Sequence, residues 1–576
     1  MRACKFLVAA ALSALLLSAC TRAPEKTVAT APAIAVRPDW PAFAAAFIEQ
    51  RFKADPSFAV QSGRHEFDGQ MPDWSRAGIE ADVAQLRATL EELQRFDPAA
   101  LPPAQRFERA YLEWVIDTQI YWEASAEFPF RNPAWYIDKL DPSMYLTRDY
   151  APLEQRLRGF LGYLRAVPRL ASDIRNNLRT PLPRAFIEHG MLGFSGYASF
   201  FRVDVPPLFA QVKDEGFRRE LGEAAEYAAR AMDQLSGWLE SQRDAATDDF
   251  ALGAGKFTEM LRVTERVNLP TEELELVGRK DLERNRAALV DACAAFAPKM
   301  GLAACVERMR ADKPGAGTVE GARAQLEQLR QFVLEHGIVT IPSREQALVA
   351  ESPPFNRGNF AYISMPGPYE SPAVKPTYYV APPDPAWSAP QRNAYLPGKA
   401  YLLFVSVHEV WPGHYLQGQY SNANASKIEA LWWDYAFGEG WAHYTEEMMF
   451  DAGLGDGKPE IRVGMLVNAL LRDVRFLSAI CLHTGCMTLP ESEKMFREEA
   501  FADPGNAHQQ ALRGTYDPGY LAYTLGKLMI RKLRADWLAA NPAATAQQFH
   551  DRLLSFGTPP VPLARQQMLA SPGAAL

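Results

Sequence analysis

The chain has 576 residues, and its 61 Lys and Arg residues against 69 Asp and Glu residues give a formal net charge of −8. Hydrophobic residues make up 48% of the sequence, which is enough for a large core and excludes a mainly disordered protein. The acidic balance excludes the strongly basic surface that is typical of nucleic-acid-binding proteins.

The N-terminal segment resembles a bacterial lipoprotein signal. Arg2 and Lys5 precede an apolar stretch over 6–17, and small residues lead to Cys20, as in a lipobox. We therefore predict a signal peptide over 1–19, followed by a lipidated Cys20 and a flexible tether over 20–40. Because Thr21 rather than Asp follows the cysteine, we expect an anchor in the outer membrane and a protein that faces the periplasm.

Most of the remaining chain carries the pattern of amphipathic helices. Apolar residues recur at spacings of three and four with charges between them, and Leu86, Leu90 and Leu93 form one such stripe. The predicted helices cover 79–96, 103–124, 153–178, 216–243, 272–296 and 319–336. No run of 18 apolar residues follows the N-terminal segment, so we expect no internal transmembrane helix.

The composition changes near residue 340. Residues 360–380 are rich in aromatic and β-branched side chains, and 377–380 reads as a short strand that ends at Pro382 and Pro383. The helical pattern returns after Gly398. We therefore predict a mainly α protein with a small β-sheet before a key helix, in one catalytic domain over 41–576. Its expected parts are an N-terminal helical lobe over 41–340 and a second lobe over 341–576.

Four cysteines of the mature chain occur as two closely spaced pairs. Cys293 and Cys305 form one pair, and Cys481 and Cys486 form the other. In an oxidising periplasm these pairs predict two disulfides, and four buried thiols are the alternative. Because no CxxC motif occurs, we do not expect a cysteine-based zinc site.

A pair of histidines in residues 404–419 carries the clearest chemical signal. His408 and Glu409 follow an apolar run, and His414 comes six residues after the first histidine. The zinc motif HExxH would need a histidine at position 412, where this chain has Pro412. On a straight helix the two histidines point about 120° apart. A distortion at Pro412 and Gly413 would bring His414 towards the same metal ion.

A third metal ligand is expected in residues 436–447. Glu439 would lie in a new helix that begins after Gly438, and two histidines with one carboxylate leave an open position, as in catalytic zinc sites. Glu409 would then act as the general base towards the water that the metal activates, and later protonate the leaving amine.

Two further side chains compete for roles beside Glu439. Glu446 lies two turns further along and would hold a histidine ligand by its ring nitrogen. His443 lies one turn after Glu439 and would either bind the metal or contact the substrate.

Three sequence blocks resemble the bacterial family known as domain of unknown function 885. Its HExxPGHH pattern appears at 408–415 and its EGWxxYxE pattern at 439–446. A third block comprises Arg513, residues 518–521 and residues 523–527, and the resemblance covers most of 41–560. Tyr415 replaces the second of two consecutive histidines, and His443 stands where the family usually has an apolar residue.

That family is similar to helical zinc peptidases of the gluzincin type, such as angiotensin-converting enzyme and thermostable carboxypeptidase Taq. The resemblance implies a large helical, zincin-like fold with a Zn²⁺ cofactor. It also implies the following roles: metal ligation by His408, His414 and Glu439, general base catalysis by Glu409, donation to the oxyanion by Tyr523, and substrate-carboxylate binding by Arg513, Lys527 or Arg531.

The resulting hypothesis is a lipid-anchored zinc peptidase that hydrolyses short peptides in a deep cleft and has no nucleic-acid partner. A zinc hydrolase of non-peptide amides, such as cell-wall fragments, is one alternative. A non-catalytic binding lipoprotein of the cell envelope is another. The substrate sequence and the oligomeric state do not follow from the sequence.

Overall fold

A computed structural model describes residues 39–576, apart from 316, 354–356, 358–359 and 384–386. The predicted signal peptide, the lipidated Cys20 and the tether up to residue 38 lie outside the described residues. The first described helix begins at Trp40, which is buried, so the last residue of the predicted tether is part of the folded unit.

Helices dominate the chain up to residue 335. Their bounds are α1 Trp40–Ala54, α2 Pro56–Gln61, α3 Arg76–Leu93, α4 Pro103–Ile120, α5 Phe128–Arg131, α6 Ala134–Ile137, α7 Ser143–Thr147, α8 Leu153–Asn177, α9 Arg184–Ser199, α10 Pro206–Phe209, α11 Glu215–Glu240, α12 Ala254–Thr264, α13 Thr271–Phe296, α14 Leu302–Ala311 and α15 Thr318–Glu335. All six predicted helices are present, and their ends lie within four residues of the predicted bounds.

A small sheet separates this half from the rest of the chain. It consists of β1 Leu348–Glu351, β2 Ala361–Ser364 and β3 Thr377–Val380, in the order β1-β3-β2. β1 runs parallel to β3 and β2 runs antiparallel to it. The strand predicted over 377–380 is thus the central one. Its Tyr378 is buried, with the hydroxyl 3.4 Å from Ser406 Oγ, so the sheet packs beside the helix that carries His408.

The C-terminal part is again helical. Its elements are α16 Ala389–Tyr395, α17 Lys399–Glu409, α18 His414–Ala423, α19 Lys427–Leu431, α20 Tyr435–Asp451, α21 Pro459–Thr484, α22 Leu489–Glu499, α23 Pro504–Tyr516, α24 Ala522–Ala540, α25 Ala546–Leu554 and α26 Val561–Met568. Among the described helices, none combines the length and the apolar character that crossing a membrane requires.

Among the described residues, two large hydrophobic cores stabilise the molecule, beside a minor cluster of Ala185, Phe186 and Leu512. The smaller of the two large cores gathers buried residues between Val60 and Leu239, chiefly from α8, α9 and α11. The larger one combines residues 40–126 and 252–339 with the sheet and the C-terminal helices. This core therefore crosses the predicted lobe boundary near residue 340, and residues 40–576 form one compact unit.

Glycines allow the helices around the site to approach closely. A Cβ atom on Gly440 of α20 would lie 2.4 Å from the Cα of Gly526 in α24. A Cβ atom on Gly526 would lie 1.7 Å from the carbonyl oxygen of Ala436. Because only glycine fits at this crossing, α20 and α24 pack backbone against backbone, and Tyr523 stands one turn from the contact.

Both predicted disulfides are present. Cys293–Cys305 joins α13 to α14, with a Cα–Cα distance of 5.8 Å. Cys481–Cys486 joins the end of α21 to the turn that follows it.

Candidate metal centre

The helix that carries His408 stops directly after the His-Glu pair. α17 ends at Glu409, the Trp411–Pro412 peptide bond is cis, and α18 begins at His414. The expected distortion is thus a complete break between two helices. A Cβ atom on Gly413 would lie only 1.8 Å from the carbonyl oxygen of His408, so the turn requires glycine at this position.

This break brings the two histidines together. The ring centroids of His408 and His414 lie 4.8 Å apart, and the rings are nearly perpendicular. Glu439 Oε2 lies 3.2 Å from Nε2 of His408 and 3.3 Å from Nε2 of His414. One potential ligand atom from each of the three side chains lies within 4.8 Å of the others. Two imidazoles and one carboxylate that converge in this way form a ligand set that suits zinc.

Glu439 comes from α20, whose start differs from the prediction. The helix begins at Tyr435 rather than after Gly438, because Asp434 caps it by accepting a 2.6 Å hydrogen bond from the backbone nitrogen of Phe437. Gly438 lies inside the first turn, where a Cβ atom would overlap the Trp433 ring at 2.0 Å. This glycine makes room for an aromatic ring and does not interrupt the helix.

A buried ion pair fixes the orientation of His408. Its Nδ1 atom lies 2.8 Å from Glu446 Oε1, and the same oxygen pairs with Nη2 of Arg472 at 2.9 Å. Burial opposes ionisation, but Arg472 and His408 hold the pKa of Glu446 well below its usual range. A proton held on Nδ1 by this carboxylate leaves Nε2 facing Glu439, as a metal ligand requires.

His443 lies behind the cluster rather than in it. The ring is buried, and its Nδ1 atom lies 3.5 Å from Glu446 Oε2, without a well-formed hydrogen bond to either ring nitrogen among the described residues. Burial lowers the pKa of His443 to about 3, so the ring is neutral. His443 was expected either to bind the metal or to contact the substrate. It does not belong to the group of converging ligand atoms, so metal binding by His443 has no support.

Glu409 lies beside the cluster and is open to solvent on one side. It is half-buried, and within the described part of the chain no group hydrogen-bonds to its carboxylate. Burial raises the pKa of Glu409, while the neighbouring His408 and His414 oppose the shift. A carboxylate that is partly desolvated and has no hydrogen-bonding partner is well suited to accept a proton.

Tyr523 of α24 stands on the other side of His408. The two ring centroids are 6.2 Å apart, and the Cζ atoms of Arg472 and Arg475 lie 5.7 Å and 4.9 Å from the tyrosine ring centroid. Burial and the negative charge of Glu439 raise the pKa of Tyr523. Its phenol therefore stays protonated at neutral pH and can donate a hydrogen bond.

Two of the three cations that the resemblance assigns to substrate binding, Arg513 and Lys527, have different surroundings. Arg513 donates from Nη2 to the Tyr435 hydroxyl at 2.7 Å, pairs with Asp517 at 3.0 Å and lines the cavities beside the site. Lys527 is fully buried and pairs with Asp281 of α13 at 2.5 Å. Because Lys527 faces α13 and not the cavity, the structure does not support substrate binding by this residue.

Two cavities meet at the cluster. The larger has a volume of about 2150 Å³ and the smaller one of about 630 Å³. His408, Glu409, Arg513 and Tyr523 line both of them, whereas Glu439 lines the smaller. A ligand that occupied both cavities would therefore pass directly over the His-Glu pair.

Sequence reasoning missed two of the three arginines of α21, Arg472 and Arg475. Arg472 pairs with Glu446, and Arg475 lies over Tyr523. The available signal was their placement, since they and Asp473 are the charged residues of a mainly apolar helical stretch over 463–482. A charge in such a stretch needs a partner inside the protein.

Comparisons with known proteins identify the relatives of this chain. The family model described as "bacterial protein of unknown function (DUF885)" matches residues 56–568. A candidate lipoprotein of unknown function from Shewanella oneidensis has a similar structure, with a TM-score of 0.76 and 23% identity over 92% of this chain and 100% of that one. A candidate lipoprotein from Colwellia psychrerythraea also has a TM-score of 0.76, with 16% identity over 92% and 98% of the two chains. No curated protein matches the chain. At these identities the structural likeness concerns the fold alone.

Proposed function

The chain belongs to the DUF885 family of bacterial proteins of unknown function, and we propose that it is a zinc-dependent peptidase that hydrolyses short peptides. One observation carries the proposal: His408, His414 and Glu439 converge on one point, beside a Glu409 carboxylate that faces a cavity. The zincin-like character expected from the sequence is part of this proposal.

The three converging residues fit a zinc ion by their chemistry. Neutral imidazole and carboxylate are common zinc ligands, and three protein ligands are the usual number in catalytic sites. Glu446 and Arg472 support the fit, because they fix one histidine from behind. When bound, zinc supplies Lewis acidity, which makes a carbonyl carbon more electrophilic and a water molecule more acidic.

Two side chains beside the ligands, those of Glu409 and Tyr523, take different roles in the proposed reaction. Glu409 accepts a proton from the attacking water as the new carbon–oxygen bond forms, and delivers that proton to the amine nitrogen as the carbon–nitrogen bond breaks. Tyr523 donates a hydrogen bond to the carbonyl oxygen as negative charge develops on it.

The cavities favour a short and extended substrate. A volume of about 2150 Å³ exceeds the range of roughly 300–1000 Å³ that is usual for small-molecule sites, so it accommodates a peptide of several residues. The His-Glu pair lies where the two cavities meet, so a chain must thread past it to be cleaved. A folded protein would not reach this point.

We also propose that the protein is lipid-anchored in the cell envelope, in the outer membrane and facing the periplasm. The lipobox-like segment that ends at Cys20 supports an anchor, and two proteins of similar fold are themselves candidate lipoproteins. Two disulfides are in keeping with an oxidising compartment.

The direct test combines metal analysis with one substitution. We expect the purified protein to hold about one zinc ion per chain and to cleave members of a short-peptide library. Glu409→Gln should keep the metal and lower kcat by roughly 10²–10⁴-fold, because it removes the proton acceptor but none of the ligands. Full activity in that variant would exclude the proposed role of Glu409. Cleavage of cell-wall fragments but not peptides would favour a hydrolase of other amides.

A further inference from the structure

The positive charges of three guanidinium groups, those of Arg472, Arg475 and Arg513, act on Tyr523. Two of the three pair with a carboxylate among the described residues. Arg472 pairs with Glu446 at 2.9 Å, and Arg513 pairs with Asp517 at 3.0 Å. The Cζ atom of Arg475 lies 4.9 Å from the ring centroid of Tyr523, closer than that of Arg472 at 5.7 Å.

Arg475 has an unusual environment for a half-buried cation. Its Nε atom donates to Gln510 Oε1 at 2.7 Å, which holds the guanidinium in place with a neutral partner. Among the residues that the structure describes, no carboxylate lies within ion-pair distance, and neither terminal nitrogen has a hydrogen-bonding partner. The side chain lines the cavity of about 2150 Å³.

A cation in this position is poised to bind an anion. Arg475 has a neutral hydrogen-bonding partner and no carboxylate partner among the described residues, and burial beside Arg513 and Arg472 accordingly lowers its pKa. The planar guanidinium presents two parallel N–H groups that match the two oxygens of a carboxylate. An incoming carboxylate would therefore gain a charge-assisted bidentate contact and relieve the uncompensated charge.

The distance to the candidate metal centre limits where that carboxylate belongs in a substrate. Tyr523 contacts both groups, with its ring centroid 4.9 Å from Arg475 Cζ and 6.2 Å from the ring centroid of His408. Taken end to end, these separations correspond to about three residues of extended chain. An anion on Arg475 thus lies at most a few residues from a peptide bond held over His408.

We infer that Arg475 binds the carboxyl-terminal carboxylate of the substrate, so that the enzyme releases fragments of one to three residues from the carboxyl end of a peptide. This inference rests on the proposed peptidase function. It assigns to Arg475 the role that the sequence resemblance gave to Arg513, Lys527 or Arg531, each of which pairs with a carboxylate in the structure.

The test compares peptides that differ only at the carboxyl end. An N-acetylated hexapeptide is offered with a free carboxylate or with a carboxamide, and kcat/KM is measured for each. We expect the protein to prefer the acid by about 100-fold or more, since loss of a bidentate charged contact costs about that much. Arg475→Gln should reduce this preference to a few-fold, and Arg475→Lys should restore part of it. Arg310→Gln is the matched control, because Arg310 lines the same cavity but pairs with Glu307.

A binding measurement separates this inference from the proposed chemistry. Calorimetry on the Glu409→Gln variant, with and without Arg475→Gln, reports whether the acid binds more tightly than the amide. If neither peptide is cleaved but acid-selective binding depends on Arg475, the peptidase proposal fails and the carboxylate site stands. Equal binding or equal cleavage of acid and amide would overturn the inference, and so would a preference that survives Arg475→Gln.

Discussion

Replacing Glu446 with Gln tests how much of the metal affinity depends on a residue that is not itself a ligand. In the structure Glu446 Oε1 lies 2.8 Å from Nδ1 of His408 and 2.9 Å from Nη2 of Arg472. The neutral amide keeps the shape but loses the charge that orients the imidazole. Mutation of a residue that hydrogen-bonds to a metal ligand typically lowers the metal affinity by about 10- to 100-fold, or about 1.4–2.8 kcal/mol.

The same substitution leaves Arg472 buried without its carboxylate. Breaking a buried ion pair from one side costs roughly 3–5 kcal/mol of stability. Metal affinity must therefore be measured on protein that circular dichroism shows to be folded, by competition with a zinc chelator of known affinity. Replacing Arg472 with Gln as well should recover part of the stability but none of the zinc affinity.

Glu447 provides the matched control for this prediction. It is the next residue on α20, but it pairs with Arg284 and Arg531 and does not contact His408. Glu447→Gln should leave the zinc affinity within about twofold of that of the unmodified protein, because it removes only ion pairs to two partly exposed arginines, and such pairs contribute little. If Glu446→Gln binds zinc as tightly as the control, the assigned role of Glu446 is wrong.

Two further predictions concern packing and pH. Gly526→Ala should force α20 and α24 apart, lowering the melting temperature and the zinc affinity together, whereas Gly237→Ala in α11, where a Cβ atom meets nothing within 4 Å, should do neither. Burial raises the pKa of Glu265 to about 6 and that of Asp434 well above its usual value, so the folded state holds protons that the unfolded state releases. These two carboxyl groups hydrogen-bond to each other in the folded protein. The stability that the Glu265 proton provides is present below about pH 4.5 and is lost as the pH rises through 6. Between pH 5 and 8 the melting temperature should therefore fall less for Glu265→Gln than for the unmodified protein, and an equal fall in both would contradict the raised pKa of Glu265.

The helices could be predicted because the spacing of apolar residues within each segment is enough to indicate a helix. The segment predicted over 153–178, for example, alternates apolar and charged residues at helical spacing, and α8 covers Leu153–Asn177. Such a pattern records which face of a helix is buried without reference to its neighbours. The start of α20 was mispredicted for the opposite reason. Gly438 looks like a break until the position of the Trp433 ring is known.

In the candidate site, likewise, the residues of local motifs could be predicted, whereas those that tertiary packing brings in could not. His408, Glu409 and His414 lie within seven residues, and Glu439 opens a second sequence block, so two recognisable motifs hold Glu409 and the three converging side chains. Arg472 and Arg475 belong to α21 and reach the site only because α17 packs against that helix. A Cβ atom on Gly464 of α21 would lie 2.7 Å from the backbone of Ala400, which shows how close that packing is. Nothing in the motif itself encodes this contact.

The contrast between Lys527 and Arg475 explains why residue type alone is a poor guide to substrate binding. Lys527 follows Tyr523 by one turn and belongs to a recognisable block, yet Asp281 neutralises it in the interior. Arg475 belongs to no block, yet it faces the cavity, and among the described residues it hydrogen-bonds to the neutral Gln510 and pairs with no carboxylate. A buried cation with a matched carboxylate already has its charge neutralised within the protein, whereas an unmatched one beside a cavity can gain its counter-charge from a ligand. The partner of each cation, which only the folded structure reveals, therefore decides which one serves the substrate.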